Sequence, residues 1–159
     1  MREIKFRAWD EKNKKMWLEE DIIADNVNEY FMTLNGLLVI KEPNLPPKDS
    51  GYILLQYTSL KDKNGKEIYE GDILQKSFGY FDVKFNFIVT FGNYSYHDHD
   101  DGHDYGYGWY LQQNGEDYQH GLYVVIINNK TWNLEYEVVG NIFENKELLN
   151  AKNKIQSLG

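Results

Sequence analysis

The chain has no cysteine. That absence excludes disulfides, thiolate nucleophiles, cysteine-ligated zinc and iron–sulfur clusters. It also fits a cytoplasmic setting, which is the compartment expected here. Proline is scarce, with three residues that fall together at 43, 46 and 47. No apolar run approaches the roughly 20 residues of a membrane-spanning helix. The N-terminus, Met1 to Arg7, alternates charged and apolar groups and lacks the apolar core of a signal peptide. Neither a membrane span nor a membrane partner is therefore expected.

Basic residues are missing from one long segment. Between Phe85 and Asn129 there is no Lys or Arg, while Asp98, Asp100, Asp101, Asp104, Glu116 and Asp117 give that segment a charge of −6. The chain totals −8, so the remainder is close to neutral. One acidic region sits on an otherwise balanced protein, which disfavours a nucleic-acid partner there. Known catalytic signatures are also absent. There is no phosphate-binding loop, no Gly-x-Ser-x-Gly elbow and no glycine fingerprint opening a helix.

What is present is aromatic: 13 Tyr, 8 Phe and 4 Trp in 159 residues. Such a composition favours strands. Glu3 to Trp9 alternates with period two, with Ile4, Phe6 and Ala8 opposite Lys5, Arg7 and Trp9. That predicts a half-buried strand, with Lys15 to Glu19 returning as its hairpin partner. Residues 21–40 fit a helix or a strand until Asn35-Gly36, after which Leu37 to Ile40 reads as a strand. The proline-rich stretch 42–51 reads as a lobe boundary or a long surface loop. Ile53 to Thr58 is a further strand, and Asp62-Lys63-Asn64-Gly65 a hairpin-like turn.

Tyr80 to Phe91 predicts a long strand with Phe81, Val83, Phe85 and Phe87 on one face. The apolar phase changes after Phe87, which predicts a bulge or cover on both faces. Residues 92–108 read as a polar insertion rich in Tyr, His, Asp and Gly. Residues 109–111 and 122–127 read as a hairpin, and 136–143 as the last strand. Asn145 is placed to cap a short helix from Lys146 to about Ile155, with Leu148 and Leu149 inward.

Three blocks are similar to the YopX family, small proteins found mostly in bacteriophages and prophages. They are Met1 to Asp10 followed by Asn13 to Met16, Gln56 to Gly65 running on through Tyr69 to Ile73, and Val139 to Asn145. Ser59 stands where the family commonly has glycine, and Lys146 where proline often opens the final helix. The resemblance implies a β-rich fold and a phage or prophage setting; the family's function is uncharacterised, so it implies no activity. Most of these blocks have backbone roles of their own: Gly65 for a turn, Gly71 for a close approach, Asp72 as a loop cap, Gly140 for a bend.

The expected fold is mainly β. It combines an N-terminal hairpin or sheet, a compact SH3-like barrel-type β domain (by analogy with the Gly-Asp-Ile turn) and a short C-terminal helix. The chain is read as one unit, 1–159, with an N-terminal β lobe at 1–42 and a C-terminal barrel lobe at 52–150.

Candidate site residues fall in three groups. His97, His99, Asp101 and His103 carry ligand chemistry for a divalent metal, adventitious or, in a third reading, hydrolytic within the His97–Asp104 cluster. Flanking glycines equally make that run a solvated loop tip. Tyr94, Tyr96, Tyr105, Tyr107 and Trp109 suit a protein-contact surface or ordinary sheet packing. Lys61, Lys63 and Lys66 are the candidates for a weak nucleic-acid footprint. No catalytic residue and no required cofactor is assigned. The leading expectation is a non-enzymatic accessory protein that contacts itself, as a homo-oligomer, or a phage or host protein. A small β-barrel nucleic-acid-binding module is the alternative.

Overall fold

A computed structural model describes residues 3–33, 36–78, 83–97, 103–113, 119–121 and 136–150. The chain divides into two compact units, Met1–Tyr57 and Thr58–Gly159. The proline-rich stretch lies inside the first unit.

In the first unit, β1 (Phe6–Asp10) pairs antiparallel with β2 (Lys15–Trp17) and with the first half of β6 (Ile53–Lys61). Flanked on both sides, β1 is more enclosed than its alternation predicts: Arg7, Ala8, Trp9 and Asp10 are all buried. Asp10 closes the hairpin. Its carboxylate accepts the N–H groups of Lys12 (3.0 Å) and Asn13 (2.9 Å) and the Asn13 amide (2.7 Å). The ambiguous stretch resolves into α1 (Glu19–Ala24), β3 (Glu29–Met32) and β4 (Leu38–Lys41). Three acidic residues in the first turn of α1 suit its partial positive end, and Asp21 accepts the Leu18 N–H at 2.8 Å. Strands β3, β4 and β5 (Lys48–Asp49) form a small antiparallel sheet.

The second unit begins in β6. It continues through β7 (Glu67–Tyr69), β8 (Asp72–Phe78), β9 (Val83–His97), β10 (His103–Gln113), β11 (Gln119–Gly121) and β12 (Glu137–Asn141), then α2 (Glu147–Asn150). Five strands form an antiparallel sheet in the order β11-β10-β9-β8-β12. The sheet curls into a half-barrel, so the chain is mainly β as its composition implied. Among the described residues its core includes Ile68, Leu74, Phe87, Val89, Trp109, Leu111, Tyr136 and Val138, with Leu60 and Phe85 packed against it.

Four details correct or sharpen the sequence reading. Strand β9 keeps continuous register with both neighbours, so no bulge follows Phe87; the register shift lies in β12, between Val138 and Gly140. Residues 92–97 and 103–108 are strand, because β9 runs on to His97 and β10 starts at His103. Trp109 to Leu111 pairs with β9 and with β11; the predicted partner 122–127 lies outside the described residues. Asn145 turns its side-chain carbonyl back to the Asn141 N–H (3.2 Å), and the end of the predicted helix, 151–155, lies outside the described residues.

The family-like block 56–73 has a physical account throughout. Gly71 has φ +76°, and a Cβ there would lie 3.2 Å from the Phe143 ring. Its N–H donates to Val89 (2.8 Å) and its carbonyl accepts from Ile142 (2.9 Å), locking the corner to two other segments. Asp72 accepts the Tyr69 N–H at 2.7 Å. Ser59 adopts φ +70°, a left-handed conformation that glycine reaches without penalty. Ser59→Gly is therefore expected to stabilise the protein by about 1 kcal/mol after the added unfolded-state entropy of glycine is subtracted. Urea denaturation checks this, and an unchanged or lower midpoint contradicts it.

Candidate functional site

The turn after β6 holds the candidate basic residues and a buried acid. Asp62 is 6% exposed. One carboxylate oxygen accepts the N–H groups of Asn64 (2.8 Å) and Lys66 (2.9 Å), and the other accepts that of Val138 (2.9 Å). Lys63 donates its backbone N–H to Tyr136 O at 2.9 Å, and its ammonium pairs with Glu137 at 2.5 Å. The turn thus covers the outer edge of β12. Lys61, Lys63 and Lys66 are exposed, but Lys63 already has a carboxylate partner. The three do not form a set of uncompensated cations.

Burial opposes ionisation of Asp62, yet the N–H donors of Val138, Lys66 and Asn64 outweigh it and hold the carboxyl below its ordinary value. A depressed folded-state pKa means stability present above the unfolded value, roughly 3.9, that is lost as pH falls through the folded value. Acid titration of the wild type is expected to show a stability loss beginning near that unfolded value. In Asp62→Asn this component of the slope disappears, and stability at neutral pH drops by about 2–3 kcal/mol. Identical pH–stability curves for the two proteins would show that the carboxylate carries no such load.

A second polar cluster lies in the first unit. Asp25 accepts hydrogen bonds from Tyr30 Oη (2.5 Å), the Asn28 amide (2.9 Å) and the Val27 N–H (2.9 Å), which together hold its carboxyl far down. Tyr30 is pushed up to about 12 by burial and by its bond to Asp25. Tyr52 is raised by burial and by the Asp10 carboxylate, and its ring stacks on Trp17 at 6.1 Å. All these shifts lead away from neutrality, opposite to what a proton-transfer group requires. The cluster closes turns: Asp25 bonds Val27 and Asn28 much as Asp10 bonds Lys12 and Asn13.

The aromatic candidates sit on the β9–β10 hairpin, and the register sorts them. Directly opposed pairs share a face. Val89 lies opposite Leu111, Phe91 opposite Trp109, Asn93 opposite Tyr107 and Ser95 opposite Tyr105. Along this face burial gives way to exposure. Val89, Leu111 and Trp109 are 1–2% exposed, Phe91 is 42%, Tyr107 71% and Tyr105 80%. The rings are continuous: Phe91 meets Trp109 edge-on at 4.8 Å and Tyr107 at 5.2 Å. No third described strand pairs with residues 90–97 or 103–109.

Trp109 is therefore a core residue and not a contact residue. It lies in the core cluster, and its indole N–H is buried with no acceptor among the described residues. Tyr94 lies on the opposite face from Tyr105 and Tyr107. There its ring covers Gly106, where a Cβ would come within 2.2 Å, and leans on Tyr110 at 5.7 Å. The next pair inward, Gly92 opposite Gly108, has φ +151° on both strands, so the ribbon leaves the sheet through a backbone that only glycine adopts readily. Of the metal candidates, His99 and Asp101 lie outside the described residues. His97 and His103 are opposed backbone positions whose side chains also lie outside them, as does that of Tyr96. Among the described residues no group of three metal ligands occurs.

Sequence reasoning placed Asp62 in a hairpin-like turn and missed its burial. Nothing local reveals a bond to Val138, 76 residues away. It also missed Lys76, which is 5% exposed with its ammonium 5.3 Å from the centre of the Tyr136 ring. Truncation separates core from surface on β10. Trp109→Ala is expected to cost about 3–5 kcal/mol. Tyr105→Ser is expected to cost under about 0.5 and Tyr107→Ser about 0.5–1.5, through its lost ring contact. Equal losses in chemical denaturation would contradict the assignment of faces.

Fold and surface define a mainly β protein with a curled five-stranded half-barrel and a projecting aromatic ribbon. A family model described as YopX protein matches residues 5–150, and the chain belongs to that family. Among solved structures, the crystal structure of protein EF1440 from Enterococcus faecalis is similar at 23% identity and a TM-score of 0.46, covering 94% of this chain and 99% of that one. No curated protein matches the chain at a significant level.

Proposed function

We propose that this protein is a non-enzymatic accessory protein of a phage or prophage, working in the bacterial cytoplasm, and that it acts by binding another polypeptide. The observation that carries this reading is the exposed aromatic face of the β9–β10 ribbon. Phe91, Tyr107 and Tyr105 continue the core face into solvent instead of ending with it. Large rings exposed to water gain nothing from burial there. Rigid Tyr and Phe rings do provide contact area at small entropic cost. No described helix is long and apolar enough to cross a membrane.

The occupant is a polypeptide, either another copy or a phage or host protein. A nucleic-acid partner fits less well, because the ribbon segment has no cation and Lys63 is engaged with Glu137. A photo-crosslinking residue at position 107, compared with one at exposed position 66, tests the reading in expressing cells. Discrete protein adducts from 107 and none from 66 are expected. The same adducts from both positions, adducts to nucleic acid, or no adduct from 107 would overturn it.

A further inference from the structure

We propose that the Asn64–Gly65 peptide is a site of spontaneous modification, where Asn64 loses its amide and the turn covering β12 passes into an isoaspartyl form. The chain has three Asn-Gly pairs, at 35–36, 64–65 and 114–115. Both residues of the second pair are described, and both are exposed. Among the described residues the Asn64 carboxamide has no hydrogen-bond partner, while its backbone N–H donates to Asp62 Oδ1 at 2.8 Å. Gly65 has φ +83°, and no described atom lies within 4 Å of where a Cβ would sit. The carboxamide carbon is therefore free to approach the next backbone nitrogen, and no side chain on that residue stands in the way. One restraint remains: the Gly65 N–H donates to Asp62 O at 3.0 Å.

The step needs no reagent but water. The Gly65 nitrogen gives its proton to solvent base and forms a bond to Asn64 Cγ. The Cγ–Nδ2 bond breaks, ammonia leaves with a proton from water, and a succinimide ring is closed. Water then opens the ring at either carbonyl. Opening at Cγ gives aspartate on an unchanged backbone. Opening at the main-chain carbonyl gives isoaspartate, whose chain runs through Cβ and Cγ and is one carbon longer, with a freed α-carboxylate. That carbon falls between the two N–H groups that one Asp62 oxygen holds together, Asn64 at 2.8 Å and Lys66 at 2.9 Å. It also shifts Lys66 O, which accepts the Asp62 N–H at 2.8 Å. A carboxylate that turns to follow one donor loses the geometry of its other oxygen on Val138, and the new charge beside it opposes its burial. Isoaspartate at 64 thus releases the cover of the β12 edge.

The full chain is aged at mildly alkaline pH beside a free peptide of sequence 60–68. Both are mapped by mass spectrometry, and isoaspartate is scored by enzymatic methyl transfer to its α-carboxylate. The 64–65 pair of the folded protein is expected to convert within about tenfold of the peptide's rate, the difference being the opening of one hydrogen bond at Gly65. In the isoaspartate fraction the Val138 N–H is expected to exchange with solvent about tenfold faster than in fresh protein. Asn64→Gln, whose longer amide closes its ring far more slowly, is expected to stay unconverted and to keep slow Val138 exchange on ageing. Fresh Asn64→Asp, which has the charge without the extra carbon, is expected to exchange close to the unmodified protein. A 64–65 pair that stays amidated while the peptide converts would overturn the site. Isoaspartate formed with Val138 exchange unchanged would overturn the release of β12. The pairs 35–36 and 114–115 are followed in the same maps, so faster Val138 exchange in aged Asn64→Gln would move the effect away from 64 and overturn its assignment. Fast exchange in fresh Asn64→Asp would overturn the role of the added carbon.

Discussion

The Asp62 carboxylate is the constraint on which the second unit depends. A turn of four residues presents few groups able to hold it against a sheet. Asp62 organises the turn with one oxygen, through Asn64 and Lys66, and uses the other on Val138 in β12. The Lys63 N–H bonded to Tyr136 and the Lys63 ammonium on Glu137 add to the same seam. One buried charge satisfied by three N–H donors thus covers an outer strand edge that otherwise offers unpaired groups to any passing chain. Tyr136, held in this seam, packs edge-on against Phe87 at 5.9 Å and carries the Lys76 ammonium over its ring. Edge protection and core formation are joined at that residue.

At the other side of the sheet the opposite choice has been made. Among the described residues strands β9 and β10 extend beyond the ends of β8 and β11, and the face that is buried at Val89, Leu111 and Trp109 is exposed at Tyr107 and Tyr105 with no change in its period. Val89, Leu111 and Trp109 lie in the core cluster; Phe91, Tyr107 and Tyr105, with the same kind of side chain, are 42%, 71% and 80% exposed. The protein seals one edge with a carboxylate and leaves one aromatic face open. That asymmetry is why functional interest centres on the ribbon. The groups with displaced pKa values, Asp10, Asp25, Tyr30 and Tyr52 in the first unit and Asp62 in the second, are all shifted away from the neutral range.

Much of the architecture was legible in the sequence for identifiable reasons. Period-two alternation from Ile4 to Trp9 marked β1, and the Asp-Lys-Asn-Gly run marked the β6–β7 turn. Gly71 and Asp72 announced a close approach and a loop cap, and both are found. Composition misled between 92 and 108. Glycine, histidine and aspartate there read as loop, yet cross-strand pairing and Tyr94 packed over Gly106 sustain strands on either side. The aromatic candidates were grouped by nearness in sequence, whereas a strand sends neighbours to opposite faces. Tyr94 is parted from Tyr105 and Tyr107 for that reason, whereas Trp109 shares their face and is a core residue through its burial.

By itself, then, the sequence determined the strand-rich class, the turn positions, the acidic segment and membership of the YopX family, because each follows from local periodicity, charge or short backbone motifs. Only the tertiary structure decided which aromatic side chains are core and which are surface, since burial depends on where neighbouring strands end. It alone gave Asp62 its role, because a hydrogen bond to a residue 76 positions away leaves no mark on either residue's local sequence.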